Sequence, residues 1–309
     1  MTSPFDEGLA RTPANFRPLT PLSLLDRAAD THPERCAVIH GEERRTYAEL
    51  RERSRRLASA LEQAGIGRGD VVSALLFNTP AMLEAHYGPA MLGAVLNAVN
   101  TRLDAAGIGF ILKHAGAKLL IVDAELAELA REAMQAAGVE PRVVVYRDPT
   151  VPETHGAEGE DYEVFIAAGE PEFEGPGPQD EWDAISLNYT SGTTGDPKGV
   201  VYHHRGAMLL ATGNVIHAGM GPFPVYLWTL PMFHCNGWCF PWTISAKAGT
   251  HVCLRAVRAG PIFELIEKHK VTHMCGAPIV MSTLLAASDE EKRPLPGPVE
   301  FLVAAAPPP

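Results

Sequence analysis

Nothing in the 309 residues approaches the ~18 consecutive apolar residues that a membrane-crossing helix requires, so no integral membrane protein is expected. Cysteine is scarce. Five are present (Cys36, Cys235, Cys239, Cys253, Cys275), an odd number at irregular spacing, which excludes the disulfide framework of a small secreted domain. A basic stripe is missing as well. The formal net charge is −11, and residues 147–183 hold twelve Asp or Glu against one Arg, so this segment carries the whole imbalance. Without clustered Lys and Arg to neutralise phosphates, nucleic acid is not an expected partner. Residues 1–17 contain acids and lack the apolar core of a secretory leader, so the expected location is cytoplasmic. No short-period repeat and no low-complexity tract occurs.

What is present is a hydrophobic fraction of 46%, enough for a sizeable core, in a chain too long for one typical core. Apolar runs alternate with helical patterns. Strands are expected at 36–40, 71–77, 94–99, 119–122 and 143–146, with helices at 46–64, 80–92, 104–114 and 124–137. Thr46 and Glu49 have the spacing of a capping box that opens the first of these helices. From 148 to 183 the rhythm stops: the segment is acidic and rich in Pro and Gly, with only 162–168 helix-like, and reads as a solvent-facing connection. Strands then return at 184–189, 199–203, 225–230, 251–254, 271–275 and 300–304, with helices at 205–217, 238–246, 261–269 and 278–286. The expected fold class is α/β, two mostly parallel sheets flanked by helices. The expected division is a first α/β subdomain at 1–147, the acidic connection at 148–183, and a second α/β subdomain at 184–309. The last is expected to be incomplete, because strand 300–304 runs into three prolines with no covering helix.

The segment richest in chemistry is Tyr189–Val200. It packs four hydroxyls (Thr190, Ser191, Thr193, Thr194) and three glycines (Gly192, Gly195, Gly199) into a dozen residues, with Lys198 near the end. Glycines let backbone N–H groups approach an anion, hydroxyls add donors, and the lysine adds a compact positive charge, a mixture suited to wrapping phosphate. It is not a Walker A loop, and it joins two strands where a P-loop leads into a helix. A polar hairpin loop is the competing reading; it explains the glycines but not four hydroxyls beside a lysine. Gly65–Gly69 lies after a helix and before a strand, the reverse of a dinucleotide fingerprint. The arginines between 44 and 56 alternate with glutamates and read as a solvated helix face. Cys235 and Cys239 beside His234 raise a metal question, but no second pair follows, and buried reduced thiols are expected.

Tyr189–Val200 resembles the phosphate-loop signature of the adenylate-forming (AMP-binding) superfamily, which includes acyl-CoA synthetases, luciferase-like enzymes and peptide-synthetase adenylation domains. Thr46–Leu50, Gly65–Asp70, Gly93–Asn97, Val201–Arg205 and Leu230–Trp238 also resemble family segments. The likeness spans about residues 20–309 apart from the acidic connection. It implies the N-terminal part of a medium- or long-chain fatty acyl-CoA synthetase. The reaction implied is attack of a carboxylate on ATP to give acyl-adenylate, then displacement of AMP by the thiol of coenzyme A.

By that resemblance Ser191, Gly192, Thr193, Thr194, Gly195 and Lys198 cradle the departing phosphates, and Thr190 is the local contact for Mg²⁺. Phe233, His234 and Trp238 line the acid and α-phosphate side, with His234 and Lys198 as the catalytic pair. Ala304, Ala305 and Ala306 fall where the family's backbone contacts adenine. Amino-acid-activating relatives carry an Asp in the segment that here runs from Leu230 to Trp242 without one, so a carboxylic acid lacking an α-amino group is implied. A homodimer is implied by family analogy only. The family's Tyr-Gly-x-Thr-Glu segment, its ribose-binding Asp and the lysine of its mobile C-terminal domain cannot be placed. The chain is therefore expected to be a truncated piece with little or no turnover of its own. An aryl-acid or luciferase-like enzyme, and a non-catalytic acyl- or nucleotide-binding module, stay open as alternatives.

Overall fold

The computed structural model describes residues 3–5, 7–152, 157–190 and 197–304. Among them the strands are β1 (Cys36–His40), β2 (Glu43–Thr46), β3 (Val71–Leu75), β4 (Val95–Ala98), β5 (Ala117–Asp123), β6 (Arg142–Tyr146), β7 (Glu160–Asp161), β8 (Ala184–Tyr189), β9 (Gly199–His203), β10 (Val225–Leu227), β11 (Thr250–Val252), β12 (His273–Gly276) and β13 (Glu300–Val303). They form two sheets, ordered β7-β6-β5-β3-β4-β8-β9 and β13-β12-β10-β11-β1-β2. Among these strands only β8–β9 and β1–β2 pair antiparallel, so each sheet is parallel with one reversed edge strand. This is the expected α/β class.

Sheet membership does not follow chain order. β1 and β2 join β10–β13, where Val38 lies opposite His251, while β8 and β9 join β3–β7, where Asn97 lies opposite Leu187. The expected boundaries at 147 and 183 therefore describe the chain and not the sheets. One apolar cluster runs through the middle of the molecule. It takes Leu25, Leu57 and Trp242 from helices, Tyr87 from a turn between two helices, Leu96 and Leu119 from one sheet, and Val38 and Tyr226 from the other. Helices Ala105–Ala115 and Ala127–Ala137 cover the far face of the first sheet through Ile108, Leu112 and Ala133. Helices Ala259–His269 and Pro278–Leu285 do the same for the second through Ile262, Ile266 and Val280. Strands buried on both faces explain the nearly continuous apolar runs of the sequence. Among the described residues no helix is long and apolar enough to cross a membrane.

Local chemistry sets several boundaries. The capping box forms: Glu49 N–H donates to Thr46 Oγ1 at 3.2 Å, and Thr46 N–H donates to Glu49 Oε2 at 2.6 Å, opening helix Tyr47–Gln63. The helix expected over 80–92 is broken into Pro80–Ala85 and Gly88–Met91. Pro89 has no N–H to give to the carbonyl four residues back, so the ladder cannot run unbroken through it. Gly116 ends helix Ala105–Ala115 at φ +64°, a left-handed value that suits glycine.

Two expectations about charge are corrected. Arg44 and Arg45 lie on β2 rather than on a solvated helix face. Arg45 is 7% exposed and, with Arg53, pairs with the fully buried Glu84, which also accepts a 2.6 Å hydrogen bond from Tyr162. The acidic connection is not uniformly solvent-facing either: Tyr162, Phe165 and Ile166 are buried. Asp148 is buried too, bound by His40 at 2.8 Å and Arg255 at 2.6 Å. Arg255 also holds Asp123 at 2.7 Å, so this cluster ties the ends of β1 and β11 to the ends of β5 and β6. Burial alone would raise the Asp148 carboxyl, yet hydrogen bonds from His40 and Thr150 hold it well below the usual range.

Candidate functional site

The β8–β9 hairpin presents the neck of the Gly/Thr loop. Tyr189 pairs with Gly199 across the ladder. One step further out, Thr190 N–H donates to the Lys198 carbonyl at 3.1 Å, and Lys198 N–H donates to Thr190 Oγ1 at 3.0 Å. Both residues are exposed. The expected phosphate contacts Ser191, Gly192, Thr193, Thr194 and Gly195 lie outside the described residues, as do Ala305 and Ala306. Behind the hairpin, His203 Nδ1 accepts from Gly206 N–H at 2.8 Å and caps helix His204–His217. His204 is buried against Thr20 Oγ1 at 2.8 Å, and burial pushes its imidazole down to about 4.

The second wall is the segment from Trp228 to Cys239. Asn78, at the carboxyl end of β3, clasps its first half. The Asn78 amide donates to the carbonyls of Trp228 at 2.9 Å and Leu230 at 3.0 Å and accepts from Met232 N–H at 2.8 Å. Thr229 donates to the Cys275 carbonyl at 2.7 Å. A tight turn follows, with His234 N–H on the Pro231 carbonyl at 3.1 Å. The next five residues, Cys235, Asn236, Gly237, Trp238 and Cys239, all have positive φ, between 44° and 64°. A Cβ at Gly237 would stand 2.8 Å from the Trp228 ring, so close packing as well as φ favours glycine there. Asn236 N–H donates to Asn188 Oδ1 at 3.3 Å, joining this turn to β8 just before the loop. Cys239 is buried, and burial pushes its thiol up to about 12, whereas Cys235 is exposed, against the expectation of buried thiols.

These parts enclose a cavity of about 450 Å³. Phe233, His234 and Trp238 line it, and Ala304 stands at its edge just past β13, so four of the expected site residues converge. Thr190 and Lys198 are not in the lining. Three lining groups were not expected from sequence. Asn100 and Arg102 come from the loop after β4, and Thr229 from the segment after β10. Val257, Ile279 and Val280 add apolar wall from the loop after β11 and the helix after β12. The signal that marks them is topological: ligands of open parallel sheets bind beyond the carboxyl ends of the strands. Arg102 is the charged lining group among the described residues, with His234 beside it. Partial burial, with the Arg102 charge second, lowers the His234 pKa, so its imidazole is neutral at pH 7. One cationic end and one apolar wall suit an amphipathic anion such as a carboxylate with an apolar tail.

The fit to Mg²⁺ is poor in the described residues. Thr190 Oγ1 already accepts one hydrogen bond, and no group of three or more His, Cys, Asp or Glu converges among the described residues.

Comparison with known proteins gives three findings. The profile of the AMP-binding enzyme family matches residues 25–309. The acetate/butyrate–CoA ligase AAE7, peroxisomal, of Arabidopsis thaliana is 46% identical over 98% of this chain and 56% of its own length. A benzoate–CoA ligase, peroxisomal, of the same plant is 46% identical over 98% of this chain and 54% of its own length. The inhibitor-bound N-terminal domain of FACL13 from Mycobacterium tuberculosis superposes with a TM-score of 0.80 at 25% identity, covering 94% of this chain and 71% of that one. The chain thus spans about half the length of the curated relatives it matches. Both plant relatives are named as peroxisomal, which overturns the cytoplasmic expectation.

Proposed function

Because this chain belongs to the AMP-binding enzyme family, we propose that it forms the acid- and nucleotide-holding part of an AMP-forming acid–thiol ligase. A carboxylate oxygen attacks the α-phosphorus of ATP, the bond to pyrophosphate breaks, and acyl-adenylate forms. The coenzyme A sulfur then attacks the acyl carbon, and AMP leaves with the bonding electrons. The observation that carries this reading is the cavity in which the Phe233–Trp238 wall meets Ala304, with the β8–β9 hairpin tied to the Cys235–Cys239 turn through Asn188.

Neutral His234 is available to hydrogen-bond the acid carboxylate or the α-phosphate without adding charge, and Arg102 supplies a positive potential at the same end. Lys198 and the hydroxyls from Thr190 to Thr194 hold the departing pyrophosphate; their composition supports that role. Thr190 offers Mg²⁺ at most one oxygen. The acid is short-chain or single-ring in place of the medium or long fatty acid expected from sequence. At about 450 Å³ the cavity sits in the lower half of the range of small-molecule pockets, roughly 300–1,000 Å³, and must hold nucleotide as well. The names of the plant relatives, acetate/butyrate and benzoate ligases, point the same way, and their location makes the peroxisome the proposed compartment.

Titration calorimetry with benzoate, butyrate, palmitate and AMP tests the reading. Benzoate or butyrate and AMP should bind, palmitate should not, and Trp238→Ala should weaken acid binding about tenfold while leaving the fold intact. Tight binding of palmitate, or acid binding indifferent to Trp238→Ala, would falsify it.

A further inference from the structure

A second cavity, of about 320 Å³, shares no lining residue with the one bounded by Phe233 and Trp238. The two stand at opposite ends of β4. Asn100 and Arg102, just past its carboxyl end, line the first, and Met91, shortly before its amino end, lines the second. Helices Leu22–Thr31 and Tyr47–Gln63 supply Leu22, Asp26 and Arg55, the amino-terminal arm supplies Arg17, and residues 173–178 form the remaining side. That last segment is held firmly. Gly177 N–H donates to the Met91 carbonyl at 2.8 Å, and a Cβ at Gly175 would stand 2.2 Å from the same oxygen. Phe173 and Met91 pack on the central apolar cluster, so the floor is fixed by the core.

Four charged groups line this cavity, two of each sign: Arg17 and Arg55, Asp26 and Glu174. Asp26 is half-buried, and among the described residues no hydrogen bond reaches its carboxylate. Burial pushes that carboxyl up, and the charges of Arg55, Arg51 and Arg17 offset this only in part. Arg55 gives one N–H to the exposed Glu172 at 3.1 Å, and a guanidinium has five to give. An acceptor lacking donors therefore stands beside a donor lacking acceptors. A lone anion entering here meets Asp26 and Glu174, and a lone cation meets Arg17 and Arg55, so each is opposed by like charge. A molecule carrying both signs close together is opposed by neither.

We propose that this cavity is a second ligand site, for a small zwitterion whose ammonium and carboxylate flank one carbon and whose side chain is apolar, as in leucine or phenylalanine. The ammonium donates to Asp26, the carboxylate accepts from Arg55 and Arg17, and the side chain lies on Phe173 and Met91. The volume stands near the lower bound of small-molecule pockets, roughly 300 Å³, which suits a ligand of this size. Such a molecule is no acid for the first cavity, whose segment from Leu230 to Trp242 holds no Asp to receive an ammonium. The second site stands whether or not the proposed function does.

The test is titration calorimetry with L-phenylalanine, L-leucine and two relatives of phenylalanine that each keep one charge, phenethylamine and 3-phenylpropionate. The latter is measured with benzoate present, so that the first cavity is occupied. Both amino acids should bind in the millimolar range or tighter, and each single-charge relative at least about tenfold more weakly than phenylalanine. Asp26→Asn and Arg55→Gln should each weaken phenylalanine about tenfold, whereas Trp238→Ala and saturating benzoate should leave it unchanged. The relatives need only wild-type protein, and Arg17→Gln changes an exposed residue, so the proposal stays testable should either buried variant fail to fold. Absence of binding by both amino acids overturns it. So does phenethylamine binding as tightly as phenylalanine, or displacement of phenylalanine by benzoate, which assigns it to the first cavity. Wild type that binds phenylalanine but not benzoate overturns the proposed function alone.

Discussion

Acidification from pH 7 to pH 5 should remove about 4 kcal/mol of folding stability through His86 and His251. Both are buried, at 1% and 0% exposure, in the core between the sheets. His86 Nδ1–H donates to the Met82 carbonyl at 2.7 Å, and His251 Nδ1 accepts from the Trp228 indole N–H at 3.1 Å. The Nε2 atom of each has no partner, and no carboxylate pairs with either. Burial therefore pushes His86 down to about 4 and His251 down to about 3, the latter with a further push from His86. The unfolded chain takes up protons near the ordinary value of about 6.5, while the folded chain does not until pH 4 or below. Stability is thus full above pH 6.5 and is lost as pH falls through the window from 6.5 to 4. At pH 5 the gap is about 1.5 units, and at 1.36 kcal/mol per unit each histidine removes about 2 kcal/mol. At pH 6 the pair removes only about 1.4 kcal/mol. The depressed carboxylates Asp148 and Glu84 titrate below this window. Urea unfolding followed by circular dichroism at pH 7, 6 and 5 measures the loss; His204, also pushed down to about 4, adds a comparable share in the same window, so His86→Gln should remove about a third of it. A wild-type loss under about 1 kcal/mol, or one that His86→Gln leaves intact, refutes the reasoning.

Three further outcomes follow from single contacts. Glu84→Gln leaves Arg45 and Arg53 without their shared counter-ion and should cost about 3–5 kcal/mol in urea unfolding at pH 7. Asn78→Ala strands three backbone groups at Trp228, Leu230 and Met232; it should cost about 2–3 kcal/mol and weaken benzoate binding, read by calorimetry. Thr46→Ala removes the capping box and should cost about 1 kcal/mol with benzoate affinity unchanged.

Much of the fold was legible because the signals are local. Apolar runs such as Val71–Leu75 and Leu119–Val122 mark doubly covered strands, and Thr46 with Glu49 marks a helix start within four residues. Phe233, His234 and Trp238 could be found because they sit in one short segment. What stayed hidden depends on distance along the chain. The three hydrogen bonds with which Asn78 clasps residues 228–232 have no sequence signature, since the partners are about 150 positions away. Arg45 looked like one more surface arginine because its partner, Glu84, lies 39 residues on. Arg102 and Val257 reach the cavity only through strand order, which no periodicity encodes. The handedness of Cys235–Cys239 ran against residue preference, so local rules could only miss it.

The exchange of strands between the two halves sets an order of events during synthesis. β1 leaves the ribosome early, but its parallel neighbour β11 lies more than 200 residues later, with Val38 opposite His251. Until residue 252 has emerged, Val38 and Ile39 have one hairpin partner and an open edge on the other side. Folding of the second sheet is then gated by translation and slow by topology, and the nascent first half is the stage at which a holding chaperone has most to protect. For the same reason a gene split within the 148–183 segment yields two fragments that each lack strands of their own sheet, and these should become soluble only when expressed together.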